Sequence, residues 1–412
     1  MILAEKHIYK PTHKYYAELD NLCFLSKNLY NATLYDIRQH YFNTGEYKNY
    51  NKVNFEFTHN NQHDYRALPA KVAKHTQKLV DKNFKSFFAL LKKKNQGKYD
   101  KPISIPKYLD KINGREVVQY EKGAINTKGL ADNKIKLSGT NIIIRTKIAR
   151  QAIQATRIVP CNGYIKIEIL YKIQECNLKP KDDNIASIDL GLNNLMTATF
   201  TNNKPLIING RPLKSINQYY NKKKAKYTSL VKKYNNKKAS KRLKRLSLKR
   251  TNKIDDYLHK SVSYLMNQLV FNNISTLVVG YNKNWKQDIG IGKVNNQNFT
   301  NVSHLKLVQI LKYKCQLYGI NFVLQEESYT SKSSFIDKDI LPIYKLNDDK
   351  KYLFLGKRIK RGLYQSKEGK FLNADVNGSY NIMRKVVGET IYDIVNPIEV
   401  CSMPYKFSVN FY

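Results

Sequence analysis

Between Lys204 and Lys253 the chain carries eighteen lysines and arginines and not one aspartate or glutamate. Few features restrict a fold more. Like charges repel along the whole stretch, and an unpaired cation taken out of water is costly, so this segment cannot be packed into a core. It must lie at a surface on regular structure. Ile216, Tyr220, Tyr227, Leu230, Val231 and Tyr234 give one apolar stripe at helical spacing. Leu243 and Leu246, then Tyr257, Leu258, Val262, Leu265, Met266 and Leu269, give a second. The pattern predicts a helical hairpin whose cations face an external polyanion rather than bare solvent.

The rest of the chain points the same way. Over 412 residues, 72 Lys and Arg face 32 Asp and Glu, a net charge of +40. AT-rich coding explains an abundance of Lys, Asn, Tyr and Ile, but the same bias should favour Glu, so the deficit of acids needs a physical partner. Polyphosphate is that partner, because neutralising many phosphates releases counterions and gives strong, salt-sensitive binding. An anionic membrane fits less well, since the charge is spread along the chain instead of gathered on one amphipathic helix. The opening "MILAEKHIYK" has no signal-peptide core. No apolar run approaches the about eighteen residues of a membrane span. Neither a signal peptide nor a membrane partner is therefore expected. The five cysteines, Cys23, Cys161, Cys176, Cys315 and Cys401, are scattered with no C-x-x-C pair. That argues against an obvious zinc site or redox motif and fits a reducing cytoplasm.

Periodicity divides the chain. Residues 1–10 read as a strand, about 14–95 as helices, with "VAKHTQKLVDKNFKSFFALLKKK" clearly amphipathic, and 103–180 as short strands. The expectation is a multidomain α+β protein. A small β-barrel is built from 1–12 and 103–182 and interrupted by a helical lobe over 13–102. An α/β domain spans 183–390, with a basic helical insertion at 204–270. A tail covers 391–412.

In a chain starved of acids, three carboxylate positions share one context. "NIASIDLGLNNLMTATF" sets Asp189 at the end of an apolar strand; "INFVLQEESYTS" ends a strand in Glu326 and Glu327; "NADVNGSYNIMRKVV" puts Asp375 between a strand and a helix. Each has an ordinary reading: Asp189 as a hairpin turn residue, Asp375 as a helix cap, the glutamates as a solvated strand end. Together they suit a different role. Acids in a phosphate-binding protein make sense where they hold divalent metal, as in RNase H-like nucleases. There, two Mg²⁺ ions roughly 4 Å apart stabilise the attacking and leaving oxygens of a phosphodiester displacement.

The motifs "SIDLGLNNLMT", "GYNKNWKQDIGIGKVNNQNF", "ESYTSKSSFID", "GKRIKRGLY" and "NADVNGSYNIMRK" resemble those of the TnpB family, RNA-guided nucleases of insertion sequences related to compact type V CRISPR effectors. The likeness covers 183–390 by motif and the N-terminal part by organisation alone. It implies an RNase H-like (RuvC) nuclease domain over 183–390, a wedge-type barrel and a helical recognition lobe. It also implies a guide RNA, a double-stranded DNA target with a short flanking motif, and Asp189, Glu327 and Asp375 as catalytic metal ligands for two Mg²⁺. Lys241, Arg242, Lys244, Arg245, Trp285 and Lys286 are candidate nucleic-acid contacts, although a lone Trp more often packs. His259 reads as a structural or phosphate-contacting residue rather than a base.

Two departures from the family pattern matter. The middle catalytic glutamate usually ends the strand read here as "STLVVG", where this chain has Gly280. Either the site is dead or another acid replaces it. Glu327, which begins E-x-Y-T-S, is the better replacement. Period-two alternation sends Glu326 to the other face. The second departure is the segment 331–371, which has no cysteine where relatives carry two C-x-x-C pairs. A metal-free hairpin around "GKRIKRGLYQSKEGK" is expected there, and no zinc. The reading is an RNA-guided, Mg²⁺-dependent DNA endonuclease. The alternatives are a cleavage-deficient RNA-guided DNA-binding repressor, favoured by Gly280, and a transposase on the same fold.

Overall fold

In the computed structural model, which describes residues 1–235, 240–282, 303–344, 351–395 and 397–409, the first strand finds its partner far along the chain. β1 (Ile2–Tyr9) pairs antiparallel with β7 (Tyr164–Lys172), which pairs with β6 (Ile153–Cys161), and β6 with β2 (Val118–Glu121). Between β2 and β6 lies a second antiparallel sheet of β3 (Ile125–Asn126), β4 (Lys134–Leu137) and β5 (Ile143–Arg145). The expected single barrel is thus two separate sheets.

Helices α1 (Tyr16–Thr44), α2 (Tyr50–His59), α3 (His63–Arg66) and α4 (Ala70–Asn95) are inserted between β1 and β2. Leu19, Leu22, Leu29, Leu34 and Ile37 form the buried stripe of α1, and Val72, Val80 and Phe84 that of α4. These side chains share one core with Val118, Ile158 and Ile167 of the strands. The helical segment is therefore not a lobe with its own core. Its apolar faces are closed by the sheet, and everything from Met1 to Gln174 forms one unit. Among the described residues no helix is long and apolar enough to cross a membrane.

The second unit, Glu175–Tyr412, centres on a six-stranded mixed sheet. β8 (Ile185–Leu190), β9 (Asn194–Phe200), β10 (Leu206–Asn209), β11 (Thr276–Gly280), β12 (Asn321–Gln325) and β16 (Tyr405–Phe407) stand in the order β12-β11-β8-β9-β10-β16. β8, β11 and β12 run parallel, with Val279 level with Ile188 and Gly280 level with Gln325. β8 and β9 form the antiparallel hairpin. α5 (Arg211–Asn235) and α6 (Lys241–Phe271) follow β10, and α7 (His304–Leu317) links β11 to β12. Gly319 ends that link in a left-handed conformation, and a Cβ there would lie 2.2 Å from the Asn177 carbonyl oxygen, so only glycine fits.

Alternation along β8 assigns its two faces. Ala186, Ile188 and Leu190 join Tyr257, Leu258, Leu265 and Leu307 of α6 and α7 in one core. Ser187 and Asp189 face α8 (Ala374–Val387). Ser187 Oγ donates to the Ser379 carbonyl at 2.6 Å, and Ser187, Thr199 and Ser379 join hydroxyls within 3.1 Å. Two expected boundaries move. The basic insertion does not start at 204, because 206–209 is a sheet strand, and α6 from Ile254 onward is core rather than insertion. The described part of the expected tail, 391–395 and 397–409, packs on the sheet: α9 (Ile391–Ile394) and α10 (Pro397–Cys401) lead into β16, which lies at the sheet edge beside β10, and Val409 is buried in the core. In the cysteine-free segment, β13 (Lys357–Lys360), β14 (Leu363–Gln365) and β15 (Phe371–Leu372) form a three-stranded antiparallel sheet, with left-handed Gly362 and Gly369 at its two turns.

Candidate metal centre

The C-terminal ends of the parallel strands β8, β11 and β12 lie side by side, which is where open α/β sheets place their ligands. Asp189 is the penultimate residue of β8 and projects toward α8. There Gly378 permits close approach, since a Cβ on it would lie 3.1 Å from Asp189 Oδ2. Asp375 stands in the first turn of α8, but the cap is Asn373, whose Oδ1 accepts from the Asp375 and Val376 amides at 3.0 and 3.3 Å. The Asp375 carboxylate is thus free of capping. It accepts from Asn194 Nδ2 at 2.7 Å and lies 3.4 Å from Arg358 Nη2 of β13.

Glu327 arrives by another route. It lies two residues beyond β12, just before the turn at 328–332, and Asn282 brackets it: the Glu327 amide donates to Asn282 Oδ1 at 3.2 Å and Asn282 Nδ2 to Glu327 Oε1 at 3.4 Å. Its carboxylate fills the space left by Gly280. An ideal Cβ on Gly280 would lie 2.7 Å from Glu327 Oε2 and 2.5 Å from Ile382 Cδ1. The absence of a side chain at the end of β11 and the presence of a carboxylate from the neighbouring segment are one geometric fact. Glu326 turns away and pairs with Lys385 at 2.9 Å. The two glutamates do diverge, but not by strand alternation, since both lie past the end of the strand.

The electrostatics follow. Burial, then the charges of Glu327 and Asp375, push the Asp189 carboxyl well above its usual range, and Arg358 opposes the shift weakly. Burial and then the charge of Glu326 push Glu327 up to about 7, with Lys385 pulling the other way. Asp189 therefore sits between two carboxylates, with one guanidinium at the edge of the group. Among the described residues no three His, Cys, Asp or Glu side chains already stand in ligating geometry. Like charges repel, and Asp375 is bonded to Asn194 and Arg358 while Glu327 is bonded to Asn282. All three retain a solvent-facing edge. Oxygen-only donors in a like-charged cluster suit a hard divalent ion such as Mg²⁺.

The basic hairpin stands apart from these acids in the sequence. Lys241, Arg242 and Arg245 are exposed and Lys244 half-buried in the first turns of α6, where Ser240 caps the Leu243 amide at 3.2 Å. Cations at a helix N-terminus oppose the dipole, so this end of α6 is a natural anion site. Arg242 is partly occupied, lying 4.2 Å over the Tyr227 ring, as Arg250 lies 4.8 Å over Tyr220. Trp285 and Lys286 lie outside the described residues. His259 is exposed, with Nδ1 3.5 Å from the Tyr313 hydroxyl. Sequence reasoning did not single out Arg358, Asn194 or Asn282 as members of the carboxylate cluster. Arg358 was visible only as one of several cations in "GKRIKRGLY", and the two asparagines sit among many.

A RuvC-type α+β nuclease fold is the class these features define. The family model described as "Probable transposase" (OrfB_IS605) matches residues 168–286, and that of the Cas12f1-like TNB domain matches 304–382. A TnpB-like protein, ORF457 of Acidianus two-tailed virus, is 25% identical over 429 aligned residues, covering 92% of this chain and 86% of its own. Two solved structures share a distant likeness. One is titled as a Cas12f1–sgRNA–target DNA complex (14% identity, TM-score 0.33, 92% of this chain and 98% of that one). The other is titled as a CRISPR–Cas12f ternary complex (13% identity, TM-score 0.31, 89% and 82%). These matches make the chain similar to TnpB-like proteins over most of its length.

Proposed function

We propose that this protein is an RNA-guided, Mg²⁺-dependent DNA endonuclease of an insertion sequence, cutting double-stranded DNA beside a short flanking motif. The observation that carries the reading is the Glu327 carboxylate in the space vacated by Gly280. It supplies the third acid whose loss at position 280 would otherwise favour a binding-only repressor. Asp189, Glu327 and Asp375 would hold the ions. A bound pair of Mg²⁺ supplies charge stabilisation for the attacking and leaving oxygens of the phosphodiester. Arg358, at the rim beside Asp375, is placed to neutralise a phosphate oxygen. The exposed cations at the start of α6 and along α5 would grip the guide RNA or the heteroduplex by its backbone, independent of sequence. The names of the relatives, TnpB-like and Cas12f with guide and target DNA, agree with these partners.

The test is direct. RNA copurified with the protein is sequenced, and a plasmid carrying the matching target beside a randomised flank is added. Cuts are expected with Mg²⁺ and none with EDTA. Guide-dependent binding with no cutting under any divalent metal would leave the repressor. Absence of any bound RNA would favour the transposase.

A further inference from the structure

Glu327 lies beyond its strand, so the sheet ladder does not hold it, and something else must. α8 supplies it. Asn377, Asn381 and Lys385 recur at four-residue spacing and so share one face of the helix. All three reach the backbone of the segment 328–335. Asn377 Nδ2 donates to the Ser333 carbonyl at 2.8 Å and its Oδ1 accepts from the Phe335 amide at 2.9 Å. Asn381 Nδ2 donates to the Thr330 and Ser333 carbonyls at 2.9 and 2.7 Å. Lys385 Nζ donates to the Ser328 carbonyl at 2.7 Å and pairs with Glu326 at 2.9 Å, while Glu326 Oε1 accepts from the Ser328 amide and hydroxyl.

The lysine side chain is 6% exposed, so its cation is committed to this contact. Tyr329 is left-handed, φ 62°, which costs a non-glycine residue free energy and persists only where neighbours hold it. One helix thus carries Asp375 at its N-terminal end and, about three turns on, clamps both flanks of Glu327.

We propose that this polar ladder on α8 is the device that positions Glu327 at the acid cluster, with Lys385 as its positioning residue. The proposal rests on the reading that Glu327 holds metal. Lys385 touches neither substrate nor ion. It fixes the link 326–328 so that Glu326 points outward and Glu327 toward Asp189, and it does so for a carboxylate that has left its usual strand.

Lys385→Met keeps the aliphatic stem and removes the donors, while Lys385→Arg keeps charge and donors. Two readouts are taken on the full chain: Mn²⁺ binding to RNA-free protein by electron paramagnetic resonance, and the Mg²⁺ dependence of guided cleavage. Lys385→Met should weaken Mn²⁺ binding and raise the half-saturating Mg²⁺ by about tenfold, the usual effect of losing a group that orients a ligand, and Lys385→Arg should largely restore both. In the Glu327→Gln background, Lys385→Met should weaken Mn²⁺ binding no further, whereas a general structural effect would add. Should Lys385→Met fail to fold, the more exposed Glu326→Ala removes the other half of the clamp and should shift both readouts in the same direction. Wild-type metal dependence in whichever of these variants folds, with Glu327→Gln inactive, overturns the ladder while leaving the nuclease reading intact. Wild-type metal binding in Glu327→Gln itself overturns the nuclease reading on which the ladder rests.

Discussion

Replacing Gly280 by alanine adds one methyl group at the end of β11, and the structure says where that group goes. Its carbon would lie 2.7 Å from Glu327 Oε2 and 2.5 Å from Ile382 Cδ1. Ordinary contact begins near 3.4 Å, so the carboxylate has to retreat by about 0.7 Å, and Ile382 has to change rotamer. The backbone at 280 is not left-handed, so alanine brings no conformational strain of its own. The stability cost is that of mild overpacking, about 1–2 kcal/mol. The functional cost is larger, because Mg²⁺ tolerates little departure from about 2.1 Å octahedral ligation. Cleavage under single-turnover conditions should fall about 10- to 100-fold, with most of the loss recovered at high Mg²⁺, while guided DNA binding in EDTA is unchanged. A double variant sharpens the test. Glu at 280 combined with Glu327→Gly returns a carboxylate to the same space from the other strand and should recover part of the activity that Glu327→Gly alone loses. Wild-type cleavage by Gly280→Ala, at limiting Mg²⁺, would refute the idea that Glu327 uses this space.

Three further outcomes are expected. Glu327 is raised from 4.5 to about 7 in the metal-free fold. A raised carboxyl favours the fold below its unfolded value, so this contribution, about 3 kcal/mol, is lost as pH climbs through about 7, with Asp189 acting in the same direction. Thermal melts in EDTA should therefore fall between about pH 5.5 and about pH 8, and Mg²⁺ should raise the melting temperature at the higher pH only; an equal Mg²⁺ effect at both contradicts the assignment. Reversing the charge at Lys241, Arg242, Lys244 and Arg245 should weaken RNA binding for every guide and flatten its dependence on salt, with an unchanged slope removing this end of α6 from the interface. Arg358→Ala, which takes away the only guanidinium beside Asp375 among the described residues, should slow cleavage by about 10-fold or more without altering guided binding, and a wild-type rate would show that the arginine only balances charge.

How much of this was legible beforehand depended on range. Asp189 stood out because a lone acid inside an apolar strand is a local anomaly, and the hairpin around it is set by neighbouring residues. β10 was hidden because Leu206–Asn209 is four residues inside a basic run whose helical period dominates any longer window. β16 was hidden because its pairing among the described residues is a parallel ladder with β10, almost two hundred residues earlier in the chain. The buried half of α6 read as a continuation of the basic hairpin, since sequence shows an apolar stripe but not what covers it. The same limit separated α1 and α4 from the sheet that closes their core. The E-x-Y-T-S signature picked Glu327 and alternation set Glu326 on the other face, yet the side chains diverge because Glu326 folds back on Ser328 and pairs with Lys385. That contact joins residues 59 apart, and no local pattern contains it.

The central claim is that Glu327 has taken over from the residue missing at 280 and acts as one unit with Asp189 and Asp375. It is tested most directly by a side-by-side measurement on one guide and one cognate plasmid at saturating Mg²⁺. Single-turnover cleavage and binding in EDTA are recorded for the wild type, Asp189→Asn, Glu327→Gln, Asp375→Asn and the Asp189→Asn/Glu327→Gln pair. The amide keeps the size and loses the charge that a divalent ion needs, so each single change should abolish cutting, the pair should be no worse than either member, and binding should stay near wild type throughout. Glu326→Gln, which alters the clamp beside Glu327 and not a proposed metal ligand, should be the mildest of the set at saturating Mg²⁺. Cleavage by Glu327→Gln at the wild-type rate, with Asp189→Asn inactive, would contradict the account.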